Sequence, residues 1–182
     1  RHNNTLYAGL GDHVNRFHLG SGNERCAERY QVSREDQDRD AAESYRRARA
    51  AQAAGRFEDE ILKVEIPQRK GEPKVFWQDE CPMPTSYEQL AKMKPAFKQG
   101  GVTTAGNASI ISDGAAAVVV MSRDKAEALG CTIMATIGAQ ASYGIDMKYV
   151  LVAPIWAVPK CLEKEGITSA DIDLFEINEA FS

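Results

Sequence analysis

Val102-Thr-Thr-Ala-Gly-Asn-Ala-Ser-Ile-Ile-Ser-Asp-Gly-Ala-Ala-Ala-Val-Val-Val-Met-Ser122 is the stretch on which the reading of the fold turns. Its first half is small and hydroxyl-bearing, with Gly106 and Gly114, and its second half is a short apolar run rich in β-branched residues. Small residues let a ligand come near the backbone, and Thr, Asn and Ser offer donors and acceptors to fix a polar group. A loop built for close approach then feeds a buried strand. An ordinary turn entering a core strand has the same composition, and spacing alone leaves both readings open.

Downstream, Ser122 is placed to cap a helix over 123–129 stopped by Gly130, and 132–139 reads as a strand. A helix begins at Ala153-Pro154 and runs to Gly166, with Pro159 predicting a kink or a late start. Thr168 and Asp171 repeat the capping pattern before a strand over 173–177. Strands alternating with helices from Gly114 onward predict an α/β domain.

Upstream, residues 20–100 are polar and turn-rich, with the texture of an insertion. Residues 5–20 read as irregular structure around a helical turn, and 24–31 as a short helix. Ser33 with Asp36 three positions on predicts an N-cap, and the Ala-, Arg- and Glu-rich run to Ala54 a helix stopped by Gly55. Ala41, Ala42, Tyr45, Ala48 and Ala51 or Gln52 fall on one side of it. Residues 61–66 alternate and end at Pro67, predicting a half-exposed strand, with a second strand over 75–77. Ser86 caps a helix over 87–94 that Pro95 ends. The cluster of Lys92, Lys94 and Lys98 around Phe97 is either a solvated helix end or a rim for an anionic ligand.

The totals exclude several classes. The chain has 182 residues, 43% hydrophobic and 26% charged, a globular composition long enough for one domain or parts of two. A net charge of −4 argues against a nucleic-acid partner, which would call for a basic stripe. Cys26, Cys81, Cys131 and Cys161 form no CxxC pair, so no zinc ribbon or redox motif is indicated, and reduced, cytosol-like thiols are expected. His2, His13 and His18 with Cys26 meet no recognised ligand spacing, and no metal is expected. No apolar run reaches membrane-spanning length. The chain opens on Arg1 rather than Met, the expected mark of a piece of something longer.

Ordered pieces along the chain together resemble the thiolase family of acyl-CoA C-acyltransferases. They are His18-Leu-Gly20, Val32-Ser-Arg-Glu-Asp-Gln-Asp38, Gly55-Arg-Phe57, Arg69-Lys-Gly71, the run from Leu90 to Phe97, Thr104-Ala-Gly-Asn-Ala-Ser109, Ser112-Asp-Gly-Ala-Ala-Ala117 and Asn178-Glu-Ala-Phe181. The resemblance implies a layered α/β/α/β/α fold of two similar halves with an inserted loop domain. On that mapping 1–111 is the pantetheine-binding loop domain, 112–131 the end of the N-terminal half, and 132–182 the start of the C-terminal half. It implies acyl transfer between coenzyme A thioesters through an acyl-cysteine, with no cofactor beyond coenzyme A as substrate. A homodimer or homotetramer in the cytoplasm is implied for the complete protein.

Residue roles follow by the same resemblance. Asn178 matches the asparagine that holds a water in the oxyanion hole, with Ala180 and Phe181 as the wall beside it. Without Glu-Ala-Phe after it, Asn178 would read as a strand-end cap. His18 and Leu19, the latter where the family usually has methionine, match residues lining the pantetheine tunnel. Ala105 and Ser109 match the loop meeting the pantetheine amides, and Met93 and Phe97 apolar contacts near the coenzyme. The nucleophilic cysteine, its histidine and the second cysteine have no match here, so the chain alone is expected to be inactive. Ile110, Gly22-Asn23, Met83 and Trp156 depart from the family's pattern. These departures motivate the alternative of a non-catalytic, thiolase-like acyl-CoA- or lipid-binding scaffold.

Overall fold

The computed structural model describes residues 9–12 and 14–182. His2, His13 and the first part of the irregular segment expected over 5–20 lie outside the described residues. The chain divides into two compact units, one made of the described residues through Ile110 together with Glu179–Ser182, the other of Ile111–Asn178.

In the first unit, β1 (Gly11–Asp12) pairs antiparallel with β2 (Phe17–His18). Asp12 closes the intervening turn by accepting from the backbone N–H groups of Val14 and Asn15 at 2.8 and 3.1 Å. Helix α1 spans Leu19–Tyr30, five residues earlier than the start its sequence predicts. The reason is an unexpected cap: His18 Nδ1 accepts from the Gly20 N–H at 3.0 Å, the task more often done by Ser, Thr or Asp.

Helix α2, Arg34–Ala53, begins at the predicted Ser33 capping box. The Asp36 N–H donates to Ser33 Oγ at 3.0 Å and the Ser33 N–H to Asp36 Oδ2 at 3.3 Å. The Ser33 hydroxyl, donating to Asp36 Oδ2 at 2.6 Å, and then the Ser33 N–H hold the Asp36 carboxyl below its usual range. The small-residue face lies as expected, with Ala41 buried, but Gln37 and Asp38 are buried beside it.

Strands β3 (Val64–Ile66) and β4 (Lys74–Phe76) form an antiparallel hairpin, Val64 opposite Phe76. Every residue of both strands is exposed, the apolar ones by about half, with Val64 at 55% and Ile66 at 40%. Helix α3, Tyr87–Leu90, is a single turn where a longer helix was predicted. Residues 91–93 continue instead as turn and bend before Pro95. The core of the unit is small and unusually polar. Cys26, Ala27, Ala41 and Leu90 are buried with Asn23, Glu24, Gln37, Asp38, Thr103, Thr104 and Asn107. No buried side-chain nitrogen or oxygen among the described residues lacks a hydrogen-bond partner.

The second unit holds α4 (Arg123–Ala128), capped by Ser122 as predicted, and α5 (Pro154–Glu165), stopped at Gly166. Helix α5 starts at Pro154 itself, so the late start that Pro159 predicts does not occur. Lys160 and Lys164 donate to the carbonyls of Ser142 and Gln140, and Trp156 stacks on Tyr143 with centroids 5.7 Å apart. The segments 114–121, 132–139 and 173–177 carry the strand patterns of their sequences but join no ladder among the described residues. A strand is completed only by a neighbour that takes up its backbone donors and acceptors. Val118 and Val119, read as buried, are 86% and 85% exposed.

Candidate functional site

The loop from Val102 to Ile110 is held by side chains of α1 and α2 from below. Thr103, Thr104, Gly106 and Asn107 are buried, while Ala105 and Ser109 are exposed. The loop thus turns its hydrogen-bonding residues inward and presents the two positions expected to meet a ligand. Inside it, the Thr104 N–H donates to Asn107 Oδ1 at 2.7 Å and the Gly106 N–H to Thr104 Oγ1 at 3.1 Å. Asn107 Nδ2 donates to the Val102 carbonyl at 2.9 Å and to Asp38 Oδ1 at 2.9 Å. Asn23 Nδ2 donates to Thr103 Oγ1 at 2.9 Å.

Gly106 packs closely against two side chains. A Cβ there would sit 2.6 Å from Met93 Sδ and collide with Leu90. Met93 is therefore set directly against the loop. Next to Met93 in the chain, the Ala96 N–H donates to the Thr103 carbonyl at 2.9 Å, which ties the Phe97 segment to the same loop. The Phe97 ring stacks on His18, centroids 4.8 Å apart and planes 23° from parallel, over the space that Gly20 leaves free. Because His18 Nδ1 accepts from Gly20, the neutral ring carries its hydrogen on Nε2, leaving one donor for a ligand. Leu19 is half-buried behind it.

The last four residues are stitched to the loop's far end. The Ser109 N–H and Oγ both donate to the Ala180 carbonyl at 3.0 Å, the Ser182 N–H donates to the Asn107 carbonyl at 3.1 Å, and Ala108 bridges Phe181. Ser44 of α2 donates to Glu179 Oε2 at 2.6 Å. Ser109 and Ile110, with Ala41, Tyr45 and Cys81, line a cavity of about 180 Å³.

His18, Leu19, Met93, Phe97, Ala105, Ser109, Ala180 and Phe181 all belong to the first unit. His18 meets Phe97, Met93 meets the loop, and Ala180 and Phe181 meet Ala108 and Ser109. Asn178 is exposed at the end of the second unit, with no strand assigned before it. No group of three or more His, Cys, Asp or Glu among the described residues could hold a metal ion. No described helix is long and apolar enough to cross a membrane. Sequence reading missed Glu24, Asp38 and Asn107. Asp38 and Asn107 lie inside quoted pieces, but only their burial reveals what they do.

Comparison with known proteins agrees with this architecture. Residues 1–124 match the thiolase N-terminal domain and residues 131–182 the thiolase C-terminal domain. An acetyl-CoA acetyltransferase of Allochromatium vinosum is 53% identical over 175 residues, 96% of this chain and 44% of that protein. One from Pseudomonas aeruginosa is 48% identical over the same shares. The crystal structure of the Bacillus anthracis acetyl-CoA acetyltransferase superimposes with a TM-score of 0.94 at 38% identity, covering 100% of this chain and 47% of that one. Human mitochondrial 3-ketoacyl-CoA thiolase in complex with CoA gives 0.88 at 36% identity, covering 97% and 44%. The chain spans less than half the length of these relatives. With both family domains matched across nearly its whole length, and an α/β fold shared with solved thiolases, the chain belongs to the thiolase family.

Proposed function

We propose that the protein containing this chain is an acyl-CoA C-acyltransferase that moves acetyl or longer acyl groups between coenzyme A thioesters through an acyl-cysteine. The observation that carries the proposal is the loop presenting Ala105 and Ser109 outward over a buried polar scaffold, beside Met93 and the His18–Phe97 stack. A pantetheine arm is a slender chain with two amides. It suits a narrow surface of small residues with a few fixed donors and acceptors. His18 Nε2–H and Ser109 Oγ are such groups, and Leu19, Met93 and Phe97 supply the apolar contact.

Acyl transfer gathers negative charge on the thioester oxygen, and a fixed donor at that oxygen lowers the barrier. In this reading Asn178 orients a water there, with Ala180 and Phe181 as the neighbouring wall. Cys26, Cys81, Cys131 and Cys161 do not fall at the family's nucleophile positions, so turnover needs residues outside these 182. We assign 1–111 to the loop domain, 112–131 to the end of the first half and 132–182 to the start of the second. The complete protein is read as a cytoplasmic homodimer or homotetramer, active in lipid and fatty-acid metabolism, with no cofactor beyond coenzyme A.

The test is incubation of the complete protein with acetoacetyl-CoA and CoA, following loss of the enolate absorbance. Thiolysis to two acetyl-CoA supports the proposal. Coenzyme binding without turnover supports the second reading, a non-catalytic thiolase-like scaffold, which the departures at Leu19, Ile110 and Met83 favour.

A further inference from the structure

Of the three carboxylates buried among the described residues of the first unit, Asp12 closes the β1–β2 turn and the other two are spent on the same loop. Glu24 of α1 and Asp38 of α2 are 7% and 1% exposed. Glu24 Oε1 accepts from the backbone N–H groups of Val102 and Thr103 at 3.1 and 2.8 Å, and its Oε2 from Val102 at 3.0 Å. The carboxylate fits so closely under the chain that a Cβ on Gly101 would lie 2.6 Å from both oxygens. Asp38 Oδ1 accepts from Asn107 Nδ2 at 2.9 Å, while its Oδ2 takes Arg34 Nε at 2.6 Å. Arg34 then reaches out of the pair, donating through Nη2 to the carbonyls of Leu90 and Met93 at 2.8 and 3.0 Å.

Burying a carboxylate is costly unless its oxygens are fully hydrogen-bonded. An apolar side chain would fill either position without that cost. What a carboxylate adds is a set of acceptors with no donor, matched here to groups that all donate: the Val102 and Thr103 N–H at Glu24, and the Asn107 amide and Arg34 guanidinium at Asp38. An amide at Glu24 would turn an NH2 toward the Val102 N–H. The two carboxylates grip different parts of the loop, Glu24 its entry at Val102 and Thr103, Asp38 its centre at Asn107. Through Arg34, Asp38 also fixes the backbone of Met93.

We propose that Glu24 and Asp38 are positioning residues for coenzyme binding, fastening the Val102–Asn107 segment and Met93 in one geometry so that Ala105 and Ser109 meet the pantetheine arm. This rests on the reading that the loop meets coenzyme A. Neither carboxylate touches the reacting atoms, so their loss acts on binding and spares the chemical step.

The experiment compares the complete wild-type protein with Glu24→Gln, Asp38→Asn and the milder Arg34→Lys, which keeps a cation beside Asp38 but loses its fork onto Leu90 and Met93. Steady-state thiolysis gives KM for CoA and kcat separately, and hydrogen exchange reports the Val102 and Thr103 amides. The expected result is a KM for CoA raised about tenfold in Glu24→Gln and Asp38→Asn, with kcat kept within about twofold. Arg34→Lys shifts KM in the same direction by less, and remains the test if either other variant fails to fold. Glu24→Gln also speeds exchange at Val102 and Thr103 while Ala41 in α2 stays protected. Unchanged KM despite faster exchange overturns the proposal, as does a loss confined to kcat. If wild type neither turns over nor binds CoA, the parent reading has failed and the proposal falls with it, which the wild-type control alone reveals.

Discussion

Replacing Gly20 with Ala separates ligand binding from fold stability, because the added methyl group points at one ring and little else. The Cβ would lie 2.5 Å from Phe97 Cδ2 and closer still to the ring's outer carbons. Ordinary carbon contacts are about 3.5–4.0 Å, so the ring must recede by more than about 1 Å. Phe97 is only half-buried and can swing outward, which relieves the clash but breaks its stack on His18. Losing that stack costs about 0.5–1.5 kcal/mol. Ala in place of Gly inside a helix returns up to about 1 kcal/mol, less at the second residue of α1. The expected net change in unfolding free energy is therefore a destabilisation of under about 1 kcal/mol. Coenzyme A affinity falls further, because His18 and Phe97 no longer form one surface, and a lost contact of about 1 kcal/mol weakens Kd about fivefold. Calorimetric titration with CoA and denaturant unfolding of the complete protein measure the two effects. The same Gly20→Ala change in a Phe97→Ala background meets no ring, so it becomes neutral or stabilising there. Equal destabilisation in both backgrounds would refute the steric argument, and unchanged CoA affinity would refute the assignment of His18 and Phe97 to the binding surface.

Glu43 offers a pH test on the outer face of α2. Hydrogen bonds from Arg46 and then Arg47 hold its carboxyl at about 2, below the ordinary 4.5. A lowered folded value means the pairing stabilises above about pH 4.5 and fades as pH falls through about 2. Carbon-detected NMR of the Glu43 carboxyl is expected to show that midpoint, returning toward 4.5 in Arg46→Gln/Arg47→Gln; an ordinary midpoint in the unmodified chain would contradict the pairing. Thiol reactivity probes the core. Burial pushes the Cys26 thiol up, whereas Cys131 is exposed, so timed iodoacetamide labelling of the 182-residue chain read by mass spectrometry should modify Cys131 first and Cys26 last. Early labelling of Cys26 would show that α1 is not packed as described.

The elements most legible in the sequence are those set by local chemistry. Ser33 and Ser122 cap α2 and α4 where their side chains predict, and Gly55 and Gly130 follow the helix ends. Such signals need only the next few residues to act. Strand patterns over 114–121, 132–139 and 173–177 state what those segments would do beside a partner, and among the described residues no partner completes them. The start of α1 was missed because a histidine caps it, and α3 proved short because residues 91–93 turn instead. At the site, Ala105 and Ser109 were named by resemblance alone, and the fold leaves both exposed. Glu24 and Asp38 were not singled out, since an acidic residue in a helix normally faces water. Only the fold shows that both face a loop, 69 positions away for Asp38 and 79 for Glu24.

The stitching of Ser109 to Ala180 has a further consequence for how the chain can be cut and rejoined. These residues lie 71 positions apart, yet they share two hydrogen bonds, so the backbone leaves the first unit and re-enters it at adjoining points. Everything between is, for that unit, a single closed excursion. Ordering the two ends of such an excursion costs chain entropy that grows with the logarithm of its length. Replacing the 71-position span by a turn of about four residues would relieve about 2.5 kcal/mol of it. A short turn joining Ile110 directly to Glu179 therefore offers a contiguous minimal protein that keeps the loop, its buried carboxylates and the Ala108–Phe181 bridge.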